Sequence, residues 1–152
     1  MKRLITLLLL TVVGLSIKAQ ETVFSVGNLY YRIIMPNEVE VVLNPDGCTY
    51  YRGDIVVPDS VQYNGVYYKV TSLGNYAFNS SRLNTLSLPK GIRSIGEYCF
   101  YGCDSLEKIY YDGTMRDFEK IDIESSWVYG SNVDSIICSD GVIPLWKWEP
   151  NM

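Results

Sequence analysis

The stretch Val70-Thr71-Ser72-Leu73-Gly74-Asn75-Tyr76-Ala77-Phe78 is followed 22 positions later by Ile92-Arg93-Ser94-Ile95-Gly96-Glu97-Tyr98-Cys99-Phe100. Ser, Gly, Tyr and Phe are identical and the aliphatic positions are kept in kind. After one extra residue in the second copy, Leu83, Leu86 and Leu88 correspond to Leu106, Ile109 and Tyr111, so the period becomes 23. A unit this short is one supersecondary element that cannot bury its apolar face alone, and only stacking on its neighbours closes a core. The repeat therefore predicts a short, β-rich solenoid. Within it, Leu83-x-x-Leu86-x-Leu88-Pro89 reads as a strand stopped by proline, and 74–78 and 96–100 read as compact turns that follow a glycine. Matching Leu, Ile and Phe positions should form a continuous internal ladder.

The start of the chain is a different kind of segment. Met1-Lys2-Arg3 is basic, residues 4–17 are an apolar run, and Ile17-Lys18-Ala19 precedes Gln20. This is the pattern of a secretory signal peptide cleaved before Gln20. Fourteen helical residues would span about 21 Å, short of the roughly 30 Å of a bilayer core, so export without a membrane span is expected. The first cysteine is Cys48, too distant for a lipid anchor at the cut. Cleavage removes Lys2, Arg3 and Lys18, leaving ten basic against 17 acidic residues, a net −7. That balance argues against nucleic acid and anionic membranes as partners.

The expected organisation is a signal peptide at 1–19 and a single domain at 20–152. Residues 24–33 and 39–43 are β-branched and aromatic runs separated by Met35-Pro36-Asn37-Glu38, which reads as a hairpin. It would close the N-terminal end of the stack. Asp54-Ile55-Val56-Val57-Pro58 matches Thr85-Leu86-Ser87-Leu88-Pro89, and Tyr63-Asn64-Gly65-Val66 carries a tight-turn dipeptide. Residues 20–69 are thus expected to hold an N-terminal cap and a divergent repeat with an insertion, 70–113 two clear repeats, and 114–152 a C-terminal cap.

The run Tyr98-Cys99-Phe100-Tyr101-Gly102-Cys103-Asp104-Ser105-Leu106, preceded by a strand ending in Leu88-Pro89, resembles the BspA-like leucine-rich repeat family of secreted and surface bacterial proteins. The entry at 51–58 and 63–71 is similar to that family's, as is the closing segment: Tyr110-Tyr111-Asp112-Gly113-Thr114, residues 117–121, Trp127 and 136–141. The resemblance covers residues 29–143. It implies a curved, right-handed repeat fold and adhesion to host or bacterial proteins rather than catalysis. This copy is short for the family, with little concave surface.

The chain has no histidine, which removes the commonest general base, every Ser/His or Cys/His dyad and the usual zinc ligand set. An enzyme is not expected, and neither is a cofactor. Cys99 and Cys103 could suggest a metal or redox pair, but Cys99 stands where the previous copy has Ala77, which favours small core residues. Cys48 and Cys138 could pair in an oxidising compartment; four cysteines allow three connectivities and the sequence does not choose. Asp117, Glu119, Asp122 and Glu124 could be read as a calcium cluster or a carboxylate pair. Their alternation with Phe118, Ile121 and Ile123 favours a solvated face.

The 13 tyrosines include the doublets Tyr30-Tyr31, Tyr50-Tyr51, Tyr67-Tyr68 and Tyr110-Tyr111, and on a strand each doublet should place one ring inside and one outside. Two functional readings follow. The leading one is a noncatalytic secreted or surface-exposed binding module of a Gram-negative bacterium. It would hold a host extracellular or envelope protein through the outward side chains Asn84, Thr85, Ser87, Lys108 and Tyr110. The other is an assembly component of the cell envelope that docks through Trp146 and Trp148.

Overall fold

The computed structural model describes residues 22–47 and 50–147; the leader at 1–19, Cys48 and Trp148 lie outside the described residues. Twelve strands lie in this range: β1 Val23–Val26, β2 Leu29–Met35, β3 Glu38–Val42, β4 Arg52–Val56, β5 Ser60–Tyr63, β6 Val66–Leu73, β7 Arg82–Leu88, β8 Ser94–Ile95, β9 Lys108–Tyr111, β10 Asp122–Ile123, β11 Ser135–Cys138 and β12 Gly141–Pro144. One four-residue helix, α1 Met115–Phe118, falls between β9 and β10.

The strands form two sheets that the chain visits alternately. In the first, β3, β6, β8 and β10 are parallel neighbours, with Val41, Leu73, Ile95 and Ile123 opposite one another from strand to strand. In the second, β4, β7, β9 and β11 are parallel, and Ile55, Leu86, Ile109 and Ile136 make the matching row. This is a β-solenoid of about four turns. The parallel ladders run on through β10 and β11, so a further turn lies inside the stretch 114–152 that the sequence assigns to a closing cap.

Antiparallel hairpins lie at both ends. At the N-terminal end β2 and β3 pair as the sequence predicts, but residues 24–33 are not one strand. Gly27-Asn28 makes a two-residue turn, and β1 folds back on β2 with Val26 opposite Leu29. At the other end β12 returns on β11. The Asn64-Gly65 hairpin forms as expected: Tyr63 faces Val66, and both turn residues have positive φ, 49° and 81°. Two successive positive φ values match the right-handed strand twist, and Asn-Gly is the pair that tolerates them.

Leucines at 83, 86 and 88 cannot all point inward on a regular strand, because 83 and 86 are three apart. A bulge solves the conflict. Gly53 pairs with Leu83 and Asp54 with Thr85, so Asn84 is the extra residue of β7, and Leu83, Leu86 and Leu88 are all buried.

Between the sheets, aromatic rings stack along the solenoid axis. Phe78 and Phe100 lie parallel at 5.5 Å with 7° between planes. Tyr51 packs on Phe78 at 5.2 Å, and Trp127 meets Phe100 edge-on at 5.9 Å. The Tyr51 hydroxyl donates to Val42 O at 2.6 Å and accepts the Tyr30 N–H at 3.1 Å, so its polar end is satisfied at the core boundary. Burial pushes that phenol up to about 12.

The two connections in each turn differ in how they use chain length. From the first sheet to the second, 13 positions separate Leu73 from Leu86, 14 separate Ile95 from Ile109 and 13 separate Ile123 from Ile136. From the second sheet back to the first, Ile55 to Leu73 is 18, Leu86 to Ile95 is 9 and Ile109 to Ile123 is 14. The β5–β6 hairpin and α1 both sit on this variable side.

The repeated glycine marks a close approach between turns. A Cβ on Gly96 would stand 2.3 Å from Asn75 Oδ1, 2.7 Å from the Asn75 backbone nitrogen and 2.9 Å from the Gly74 carbonyl carbon. Backbone atoms cannot swing aside, so Gly96→Ala should destabilise by about 2 kcal/mol or more. Urea unfolding measures it, and a loss under about 0.5 kcal/mol, the range of an ordinary surface change, would show that the stack yields freely there.

Candidate functional site

The outer face of the five-stranded sheet presents a row in register: Val56 opposite Ser87, Ser87 opposite Tyr110, Tyr110 opposite Ile137, and Ile137 opposite Val142. Val56 is 70 % exposed, Tyr110 43 % and Val142 53 %. At the proline end of the strands the row borders a groove of about 320 Å³ lined by Val56, Pro58, Ser87, Pro89, Tyr110 and Asp112.

The nominated residues fall on this face with different surroundings. Ser87 and Tyr110 are direct neighbours. Thr85 is half-buried and its hydroxyl donates to Asp54 Oδ1 at 2.8 Å, while exposed Lys108 lies opposite Ser135. Asn84 is exposed at the bulge. Trp146 follows β12, in the turn Leu145–Lys147, and is 78 % exposed. Trp148 is outside the described residues.

The other sheet carries several paired polar groups. Ser94 Oγ donates to Ser72 Oγ at 2.8 Å, Arg32 pairs with Glu40, and Arg93 pairs with Glu38. These polar side chains satisfy one another, and the same sheet also exposes Ile34 and Met35 on β2 and Val66 and Tyr67 on β6.

Sequence reasoning missed a second aromatic surface. The turns 75–80, 97–102 and 125–130 stack on one another through backbone hydrogen bonds: Tyr76 N–H to Glu97 O, Phe78 N–H to Cys99 O, Phe100 N–H to Trp127 O and Gly102 N–H to Gly130 O, each 2.9 Å. On this platform Tyr76 and Tyr98 stack at 5.3 Å, and Tyr101 and Tyr129 stack at 6.1 Å with 7° between planes. Edge-on contacts of Tyr98 with Tyr101 and Tyr129 join the pairs into a quartet. Tyr76, Tyr101 and Tyr129 are exposed. Tyr76 and Tyr98 also hold left-handed backbone, φ 57° and 52°. For a bulky residue that conformation costs of order 1–3 kcal/mol and persists only where the surroundings enforce it. The available signal was the identity of Tyr76 and Tyr98 in the two copies. Tyr101 and Tyr129 occupy a different column of the repeat.

The three described cysteines are core residues. Cys99 and Cys103 are fully buried, and Cys103 Sγ donates to Phe78 O at 3.0 Å. Burial raises the Cys99 thiol well above its ordinary value and pushes Cys103 and Cys138 up to about 11, which holds these groups as inert thiols. Cys138 is buried and free; its suggested partner Cys48 is outside the described residues. Ser81, 22 positions before Cys103, is buried with its hydroxyl unpartnered.

The acidic stretch does not converge on a site. Asp117 accepts the Thr114 hydroxyl at 2.9 Å in a capping box that starts α1, and Lys90 Nζ lies 3.2 Å away. These contacts, the Thr114 bond first, hold its carboxyl well below the usual carboxylate range. Among the described residues no three Cys, Asp or Glu side chains are grouped to hold a metal ion.

The repeat turns, with their buried phenylalanines, match the BspA type leucine-rich repeat region over residues 59–144, in six copies. The chain belongs to the BspA-type leucine-rich repeat family. This is a protein-interaction fold that is generally not enzymatic. A leucine-rich repeat protein from Bacteroides capillosus is similar in structure, with a TM-score of 0.55 at 19 % identity, covering 78 % of this chain and 99 % of that one. A leucine-rich cell surface protein from Faecalibacterium prausnitzii matches with a TM-score of 0.56 at 15 % identity over 78 % of this chain. The present repeat protein spans about a third of that protein's length, 32 %. No curated protein matches the sequence significantly. Among the described residues no helix is long and apolar enough to cross a membrane.

Proposed function

We propose that this leucine-rich repeat chain is a noncatalytic, exported module that binds a protein, of the host or of the bacterium's own envelope, on the outer face of the five-stranded sheet. The row Val56, Ser87, Tyr110, Ile137 and Val142 carries the reading. It sets exposed Val56, Tyr110 and Val142 on alternate strands of a rigid ladder, with half-buried Ser87 and Ile137 between them and Lys108, Thr85 and Asn84 beside them. A solvent-exposed apolar strip with a polar rim is the composition of an interface. Family membership, the basic start and the apolar run at 4–17 support a secreted or cell-surface location.

Tyrosine supplies large, rigid contact area, and only a few residues dominate an interface of ordinary size. Against a partner recovered with the mature domain, Tyr110→Ala should therefore cost about 1 kcal/mol or more of affinity and leave the melting temperature unchanged. Ser87→Ala should cost less than about 0.5 kcal/mol. Exposed Trp146 supports a second reading, docking through the C-terminal edge. If Trp146→Ala or Trp148→Ala abolished binding while Tyr110→Ala was silent, that edge would replace the sheet face.

A further inference from the structure

The tyrosine quartet lies on a different side of the solenoid from the sheet face just proposed, and its chemistry selects a different ligand. The residues 75–81, 97–105 and 124–132 include Glu97, Asp104 and Glu124, all exposed, and no lysine or arginine. No ion pair engages these three carboxylates among the described residues. Exposed Arg82 follows the first of these stretches at the start of β7, while Lys90, Arg93 and Lys120 are committed to Asp117 and Glu38. Four clustered aromatic rings thus share three stacked stretches whose own charged residues are all acidic.

We propose that the corner formed by Tyr76, Tyr98, Tyr101 and Tyr129, with Glu97 and Glu124, binds an arginine-bearing segment of a protein. The π-face of a tyrosine is electron-rich and attracts a cation; a guanidinium is planar, stacks on such a face and keeps its donors free for carboxylates. The rings are set before any ligand arrives. They pack on each other, and Tyr101 lies over Gly130, where a Cβ would meet its Cε2 at 3.1 Å. The backbone bonds between successive turns fix the spacing of the rings. A segment laid along the axis would meet a ring at each of the three turns and a carboxylate at two of them. The formal net charge of −4 favours approach of a cationic partner to the whole molecule.

The test uses a synthetic peptide of glycine and serine with several spaced arginines, and its twin with citrulline at each arginine, which keeps shape and removes charge. Titration followed by calorimetry should give saturable binding of the arginine peptide that weakens as salt is raised. The citrulline twin should bind about tenfold more weakly or worse, a difference of about 1.4 kcal/mol. Tyr101→Ser with Tyr129→Ser should weaken the arginine peptide about fivefold or more, and so should Glu97→Gln with Glu124→Gln, while Tyr110→Ala should change nothing. The Glu→Gln pair sits on exposed side chains and keeps the test open if the tyrosine pair fails to fold. Equal binding of the citrulline twin, no saturation up to about 1 mM, or full binding by the Glu→Gln pair would overturn the assignment. Because Tyr110 is the reporter for the sheet face, loss of one surface is distinguishable from loss of the other.

Discussion

Phe100→Ala should lower the free energy of unfolding by about 3–5 kcal/mol, among the largest effects of any single substitution in this protein. The ring is fully buried, with Phe78 stacked on one side at 5.5 Å and Trp127 edge-on at the other at 5.9 Å. Truncation leaves a cavity in the middle of the aromatic column, and backbone bonds to both neighbouring turns limit how far the walls can close. Phe78→Ala should fall in the same range, because its ring sits between Tyr51 and Phe100. Urea denaturation with a constant slope is the appropriate measurement. A loss below about 1.5 kcal/mol at either site, the cost of a tolerated volume-conserving swap, would mean that the column does not hold the turns together. A gross inequality between the two would end their equivalence.

The second large effect concerns the end of the stack. Deleting residues 114–152 removes β10, Trp127 and the β11–β12 hairpin together. Edges of β8 and β9 would lose their parallel partners, and Phe100, Ile95 and Ile109 would lose the covering turn. Each solenoid turn is stable only against its neighbours, and an uncovered apolar end with open strand edges pairs with other copies. The shortened chain should aggregate or show dye-binding, partly unfolded behaviour in size-exclusion chromatography. A monodisperse, cooperatively melting 20–113 fragment would show instead that the middle turns are self-sufficient.

Parts of this architecture are legible in the sequence for specific reasons. The Phe78 and Phe100 column follows from identity at matched positions, since identical residues in stacked units must meet. The doublets on strands behave as strand geometry requires, with Tyr31 and Tyr111 buried and Tyr67 and Tyr110 exposed, and Tyr50-Tyr51, just before β4, likewise places one ring out and one in. The fourth turn is hidden because α1 stretches the spacing from Ile95 to Ile123 to 28, and Trp127 occupies the small-residue place of Ala77 and Cys99. Gly27-Asn28 is overlooked as a turn because hydrophobic residues flank it on both sides without a break in pattern. The bulge at Asn84 and the tyrosine quartet share another cause. Both arise from contacts between turns, which a reading along the chain does not contain.

The unequal connections leave this coil with one ruler and one sleeve. Inward residue to inward residue, the tyrosine-bearing side keeps 13 or 14 positions in every turn, whereas the proline side ranges from 9 to 18. Rise and register are thus metered on one edge only. The opposite edge accepts a hairpin at one level and a helix at another without altering the two rows of apolar residues. The level with no insertion, between Leu88 and Ser94, is the natural place to graft a foreign loop, because its neighbours above and below already show that added chain there is carried outward. Lineages of such coils can therefore diversify their contour by editing a single seam, while the sheet and the aromatic corner stay in step from one turn to the next.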